Sequence, residues 1–256
     1  VIIQIFKLYI LFGVKMSKIL TTIRPLDRSG NDRIEEIKKY VNIVMNTSCR
    51  YINFNFMSLK YDSENELEIQ TIIMRDYFKE LGLDVPIVHL PYKDNLYFTD
   101  DKTDENEIQL SIMQTLKQAV RLGAKIAVFH AGIAVINGNY SEKETIKRNV
   151  EFSLPIANLA KELGIKVAIE NNVSANIATN GERVEPSPKV LVNVCREVEK
   201  ELNDKVLGLC YDIGHVNLTR YDMIEHLHSS VDYLFTLHIH NNYGLTNTEV
   251  SIWKND

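Results

Sequence analysis

Five short apolar runs in this chain each stop at a residue able to ligate a divalent metal. They are Pro86-Ile-Val-His89, Ile126-Ala-Val-Phe-His130, Lys166-Val-Ala-Ile-Glu170, Gly208-Leu-Cys-Tyr-Asp212 and Phe235-Thr-Leu-His238. The end residues are separated by 41, 40, 42 and 26 positions, each interval long enough for a loop, a helix and the next strand. Runs rich in Val, Ile and Leu that end at a polar residue are what a parallel sheet covered on both faces requires. Parallel strands share one direction, so their polar ends converge on one side of the sheet. In a βα barrel that side is the mouth, where catalytic residues from several strand ends meet.

The rest of the chain continues the rhythm. The pattern predicts a first strand near Ile19 to Ile23 with a helix from about Asp32 to Met45, and a second strand Tyr51 to Phe56, whose Ile52, Phe54 and Phe56 alternate with Asn53 and Asn55 on two different faces. A helix from Glu64 to Leu81 stops at Gly82, and another from Glu105 to Leu122 stops at Gly123. Between them the polar loop Pro91 to Asp104 lies on the side where barrel sites are built, as a cover for substrate or as a surface excursion. A helix from Ser141 to Leu163 opens with the capping-box spacing Ser141-Glu-Lys-Glu144, and Pro155 is expected to kink or divide it. Helices Lys189 to Leu202 and Tyr221 to Leu234 complete seven βα units. Residues 241–256 hold no Val/Ile-rich run followed by a helix, so the eighth unit is missing from the pattern.

The expected fold is therefore α/β, a TIM-type (β/α) barrel with seven readable units over residues 16–244. An atypical tail covers 245–256, and residues 1–15 are read as an extra N-terminal segment, upstream sequence read through before Met16. That segment is apolar but shorter than the roughly 20 residues of a membrane span, so no membrane role is expected. A hydrophobic fraction of 45% and a charged fraction of 25% suit one globular domain with a proper core. With 29 Lys and Arg against 34 Asp and Glu, the net charge is -5, and no broad basic field invites a phosphate backbone. Nucleic acid is disfavoured as a partner. Cys49, Cys195 and Cys210 form no CxxC pair and leave one thiol over under any disulfide scheme, which fits a reducing compartment such as the cytoplasm.

Glu170, Asp212 and His238 are ligands of the kind that hold Mg, Mn, Co or Zn as divalent ions, and three ligands leave positions open for substrate oxygens. Any one of them alone would be read as a hydrogen-bonded strand end; their recurrence at strand ends favours a site. His226 and His228 fall on the helix before the last strand and are read as surface residues, and His240 as a helper two positions past His238.

The same residues resemble a known family. Val88-His89-Leu-Pro-Tyr92, Phe129-His130-Ala-Gly132, Ile169-Glu170-Asn-Asn172, Cys210-Tyr-Asp212-Ile-Gly-His215 and Leu237-His238-Ile-His-Asn241 look like the successive strand-end motifs of the xylose isomerase-like TIM barrels, from about Ile19 to Tyr243. That superfamily includes sugar and sugar-phosphate isomerases and epimerases, inosose dehydratases and the apurinic endonuclease IV group. The resemblance implies a divalent ion on Glu170, Asp212 and His238, with Glu170 as acid/base and His89, His130 and His215 facing a small sugar or sugar phosphate. It leaves two alternatives: an endonuclease IV-like zinc phosphodiesterase, in which His89, His130 and His215 are further ligands, and a truncated non-catalytic remnant. The family's second glutamate, after the eighth strand, has no counterpart here; Glu249 is the only acidic side chain near that place. Unpaired barrel edges would favour a homo-oligomer.

Overall fold

The computed structural model describes residues 19–23, 33–93, 96–172, 186–219 and 221–240. The expectations for residues 1–15 and 245–256 fall outside them. The strands in chain order are β1 (Thr21–Ile23), β2 (Tyr51–Asn55), β3 (Asp84–His89), β4 (Tyr97–Phe98), β5 (Ile126–His130), β6 (Ile133–Ile136), β7 (Asn139–Tyr140), β8 (Lys166–Glu170), β9 (Leu207–Asp212) and β10 (Leu234–His238). Among them run α1 (Arg33–Met45), α2 (Glu64–Glu80), α3 (Thr103–Arg121), α4 (Glu142–Leu163), α5 (Pro188–Leu202), α6 (Ile213–Thr219) and α7 (Met223–Ser230).

Seven strands form one parallel sheet in the order β1-β2-β3-β5-β8-β9-β10. The sheet curls: His238 at the end of the last strand lies 3.4 Å from Asn53 of β2 and its ring 5.7 Å from that of His89 on β3. This is the TIM-type architecture the sequence predicts, with seven parallel strands and helices after the first six among the described residues.

Alternation along each strand sorts side chains into two layers. Outward residues such as Ile52, Phe54, Phe129, Ile169, Leu209 and Tyr211 join the large apolar cluster under the helices. Inward, Val128, Ala168 and Cys210 make a small floor with Ile87, Ile126 and Phe235 against it. The two faces expected of β2 are both present and both buried, because Asn53 and Asn55 point into the barrel rather than to water. Two bulges adjust the register. Pro86, with no N–H to donate, sits where β3 shifts against β2, and Phe235 is the extra residue where β10 shifts against β9. The second bulge lets Phe235 and His238 both face inward, although strict alternation would separate them. Phe235 lies over Gly208, where an added Cβ would come as close as 2.4 Å to its ring carbons.

Local signals account for most helix ends. Ser63, Ser141 and Ser187 accept hydrogen bonds from Glu66, Glu144 and Val190 backbone N–H groups, and Gly164 closes α4 at φ 69. Four expectations need correction. Of the two outcomes expected at Pro155, division is overturned, since α4 runs unbroken from Glu142 to Leu163; the carbonyl the proline leaves unbonded belongs to Glu151, an exposed residue. The loop Pro91 to Asp104 is not a free excursion, since β4 within it pairs with β6, and β6 pairs with β7 across a turn at Asn137 and Gly138, both at positive φ. Arg148 ties the same loop to the first turn of α3 by donating to the Thr99 carbonyl and to Glu105. The helix after Asp212 begins at once, as α6, and the stretch expected to be one helix from Tyr221 is α7 followed by a 3₁₀ turn. Among the described residues, no helix is long and apolar enough to cross a membrane.

Candidate active site

All five strand-end residues face the inside of the barrel at its C-terminal end. The register sets their levels: His130 pairs with Glu170, Glu170 with Cys210, and Asp212, two residues further along β9, with His238. Glu170 is the centre and is fully enclosed, at 2% exposure. Its Oε2 faces His89 Nε2 at 3.2 Å and His130 Nε2 at 3.7 Å. Its Oε1 faces His238 Nδ1 at 3.0 Å and His215 Nδ1 at 3.7 Å. Asp212 Oδ2 lies 3.9 Å from His238 Nδ1, so the expected trio of Glu170, Asp212 and His238 meets through the histidine.

Asp212 is held from three sides. Its backbone N–H donates to Asn171 Oδ1, its carbonyl accepts from Asn171 Nδ2, and its own Oδ1 accepts the His215 backbone N–H at 2.8 Å. The last contact caps the first turn of α6. His240 Nε2 approaches the same Oδ1 at 3.0 Å, and its ring rests on Gly214 so closely that any side chain there would occupy its place. His240, expected as a helper to His238, thus lies against Asp212. His228 is exposed as expected, but His226 is half-buried, stacked on Tyr221 at 4.7 Å, and burial lowers its pKa.

The hydrogen-bond pattern tests whether a cation fits. His89 Nδ1 lies 2.8 Å from the Leu90 carbonyl, which can only accept, so Nδ1 carries the hydrogen. In a neutral ring that leaves the Nε2 lone pair facing the Glu170 carboxylate at 3.2 Å, an arrangement that repels unless a proton or cation joins the two. His130 is driven well below its ordinary pKa by burial, helped by His89, His215 and His238 and opposed by Glu170. It therefore stays neutral, the form a metal needs, and its Nδ1 makes no hydrogen bond among the described residues. Burial works to raise the Glu170 carboxyl, yet His238, His89 and His130 hold it well below the usual range. Burial works to lower His238, while Cys210 and Glu170 hold it well above. Both shifts favour the charged forms, so the Glu170 carboxylate and the His238 ring attract one another across 3.0 Å.

Among the described residues, three sets of donor atoms each lie within 4.8 Å of one another: His89, His130 and Glu170; Glu170, Cys210 and His238; and Asp212, His215 and His240. Imidazole and carboxylate donors around a common centre are suited to borderline divalent ions. Tyr92 stacks on the His130 ring at 4.2 Å and meets His89 edge-on at 5.1 Å, giving one side of the mouth an aromatic wall. Sequence reasoning placed neither Tyr92 nor Cys210 in the site. An open cleft of about 660 Å³ beside β4, β6 and the start of α4, lined by residues including Tyr97, Asp100 and Arg148, contains none of the strand-end residues.

The family model described as xylose isomerase-like TIM barrel matches residues 49–253. The uncharacterized protein MJ1311 of Methanocaldococcus jannaschii is 25% identical over 172 residues, 65% of this chain and 54% of that protein, so the chain spans about half the length of this curated relative. Among solved structures, a D-tagatose 3-epimerase-like protein superposes with a TM-score of 0.68 at 18% identity, over 87% of this chain and 79% of the other. The TTHB071 protein of Thermus thermophilus, from a crystal soaked with ZnCl2, gives 0.60 at 22% identity, over 89% and 79%. Identities this low speak for a shared fold, and the family match covers most of the chain: it belongs to the xylose isomerase-like TIM barrel family.

Proposed function

We propose that this protein is a metal-dependent sugar or sugar-phosphate isomerase or epimerase that moves a proton on a carbon next to a carbonyl. The observation that carries the reading is the single enclosed carboxylate, Glu170, with each of its oxygens facing histidine nitrogens. Glu170, Asp212 and His238 would hold a divalent ion, which when bound supplies Lewis-acid polarisation of the substrate carbonyl. Glu170, at the centre of the ring of histidines, would take the proton from the adjacent carbon and return it. His215 is fixed through Nδ1 by the Asn171 carbonyl, with Nε2 offered to a sugar hydroxyl, while His89, fixed through Nδ1 by the Leu90 carbonyl, turns Nε2 to Glu170 and would line the pocket beside it. Neutral His130 and the Tyr92 ring complete the wall and keep water from the reacting carbon. The D-tagatose 3-epimerase-like neighbour supports ketoses as the first substrates to try.

The test is hydrogen exchange of ketohexoses and their phosphates in deuterated water, with the full chain loaded with Mn, Co or Zn. Glu170→Gln should abolish exchange while the circular dichroism spectrum stays the same; exchange at the wild-type rate in that variant would place the acid/base elsewhere. The donor set of His89, His130 and Glu170 also favours a second reading, an endonuclease IV-like phosphodiesterase with a multinuclear zinc centre. Metal analysis separates the two, since one ion per chain supports the isomerase and three support the hydrolase.

A further inference from the structure

The floor of the barrel bears on which ion the site takes. Cys210 pairs in register with Glu170 on the neighbouring strand, and both residues are fully buried. Its place inside the barrel follows from alternation: Leu209 and Tyr211 belong to the outer apolar layer, while Cys210 and Asp212 point inward. The bulge at Phe235 then swings His238 onto the same side, so Cys210 Sγ, a Glu170 oxygen and a His238 nitrogen fall within 4.8 Å of one another. A plain filler at this position would need only the volume that Ala168 or Val128 supplies to the same floor. A sulfur in reach of both principal donors adds a soft ligand to a nitrogen and an oxygen.

The geometry points to Cys210 as a metal ligand, which makes the centre a sulfur-nitrogen-oxygen site for a thiophilic divalent ion such as zinc, cobalt or ferrous iron rather than for magnesium or manganese. This inference rests on the proposed metal-dependent function and narrows it. Ligand softness is the reason: thiolate selects zinc-like ions, whereas magnesium keeps to oxygen and retains its water. As the ion binds, a metal–sulfur bond forms and the S–H proton leaves to solvent, with no change of oxidation state.

The test uses the full chain stripped with a chelator and reloaded with cobalt or zinc. Cobalt should give an intense near-ultraviolet thiolate charge-transfer band together with weak visible bands. Zinc-edge X-ray absorption of the wild type should show one sulfur at about 2.3 Å. Cys210→Ser and Cys210→Ala should lose the charge-transfer band and keep the visible ones, with the preference for zinc over magnesium falling about tenfold or more; Cys49→Ser and Cys195→Ser should change neither. An ion bound without sulfur in the wild type would overturn the Cys210 assignment and leave the metal-dependent reading intact. No divalent ion bound at all would overturn both. The X-ray measurement needs no variant, so a Cys210 substitution that fails to fold does not rescue the idea.

Discussion

The two faces of the same seven-stranded sheet do different work. Toward the helices, β2, β5, β8 and β9 present Phe54, Phe129, Ile169 and Tyr211 to one continuous apolar layer. Toward the axis, the same strands present Asn55, His130, Glu170 and Asp212 above a floor of small residues. Adjacent positions such as Phe129 and His130 are thus one residue apart in the chain and belong to different environments. Period-two alternation makes this possible, and it means that a one-residue slip in register would exchange core and site. Stability resides mainly in the outer layer, and the inner rim carries buried charge that adds little net stability.

The sharpest way to break this contrast is to compare Glu170→Gln with Phe129→Ala. The first should lower turnover by on the order of 10³-fold or more, roughly 4 kcal/mol of barrier, while the fold persists and any loss of stability stays within that of removing the ion Glu170 would hold. The second should cost about 3–5 kcal/mol in denaturant unfolding and leave the metal stoichiometry of the folded fraction unchanged. If Phe129→Ala proved mild and Glu170→Gln unfolded the chain, the assignment of stability to the outer face would be reversed.

Metal removal should sit between these effects. For an ion present at a hundred times its dissociation constant, chelation should remove about 2.7 kcal/mol of apparent stability, seen as a lower melting temperature restored by zinc or cobalt. No shift on chelation would mean that the inner rim folds and persists on its histidine–carboxylate pairs alone. Gly208→Ala probes the floor, since the added methyl meets the Phe235 ring. A cost of about 1–3 kcal/mol with a weakened metal site is expected, because displacing Phe235 disturbs the bulge that aims His238; a neutral result would show that the bulge does not need this contact. The smallest effect should come from the outer surface, where Lys39 pairs with Glu36 at 2.6 Å on α1. Lys39→Ala should change unfolding by less than about 0.5 kcal/mol, and a larger loss would reveal a role for the helix exterior that burial does not indicate.

Much of this was legible in the linear chain. The five apolar runs and their polar ends mark strands whose C-terminal residues do converge, and Ser141 and the glycines after the helices mark ends that the structure keeps. The hairpin of β6 and β7 carries a local mark outside the strand-helix periodicity: Asn137-Gly138, the dipeptide of a tight turn, stands between the two strands. The continuity of α4 through Pro155 had no local signal, because it depends on that side of the helix facing water.

What the sequence determined by itself is the periodicity, hence the parallel βα architecture and the set of strand-end donors, since both follow from chain-local spacing. What only the tertiary structure decided is which donors share a centre. Cys210 reads as any small core residue until its register with Glu170 is known. His238 joins it through a bulge whose extra residue is identified only by pairing with β9. His240 reaches Asp212 because Gly214 leaves room for its ring. Register, bulge and close packing are relations between segments distant in the chain, so no window of the sequence contains them.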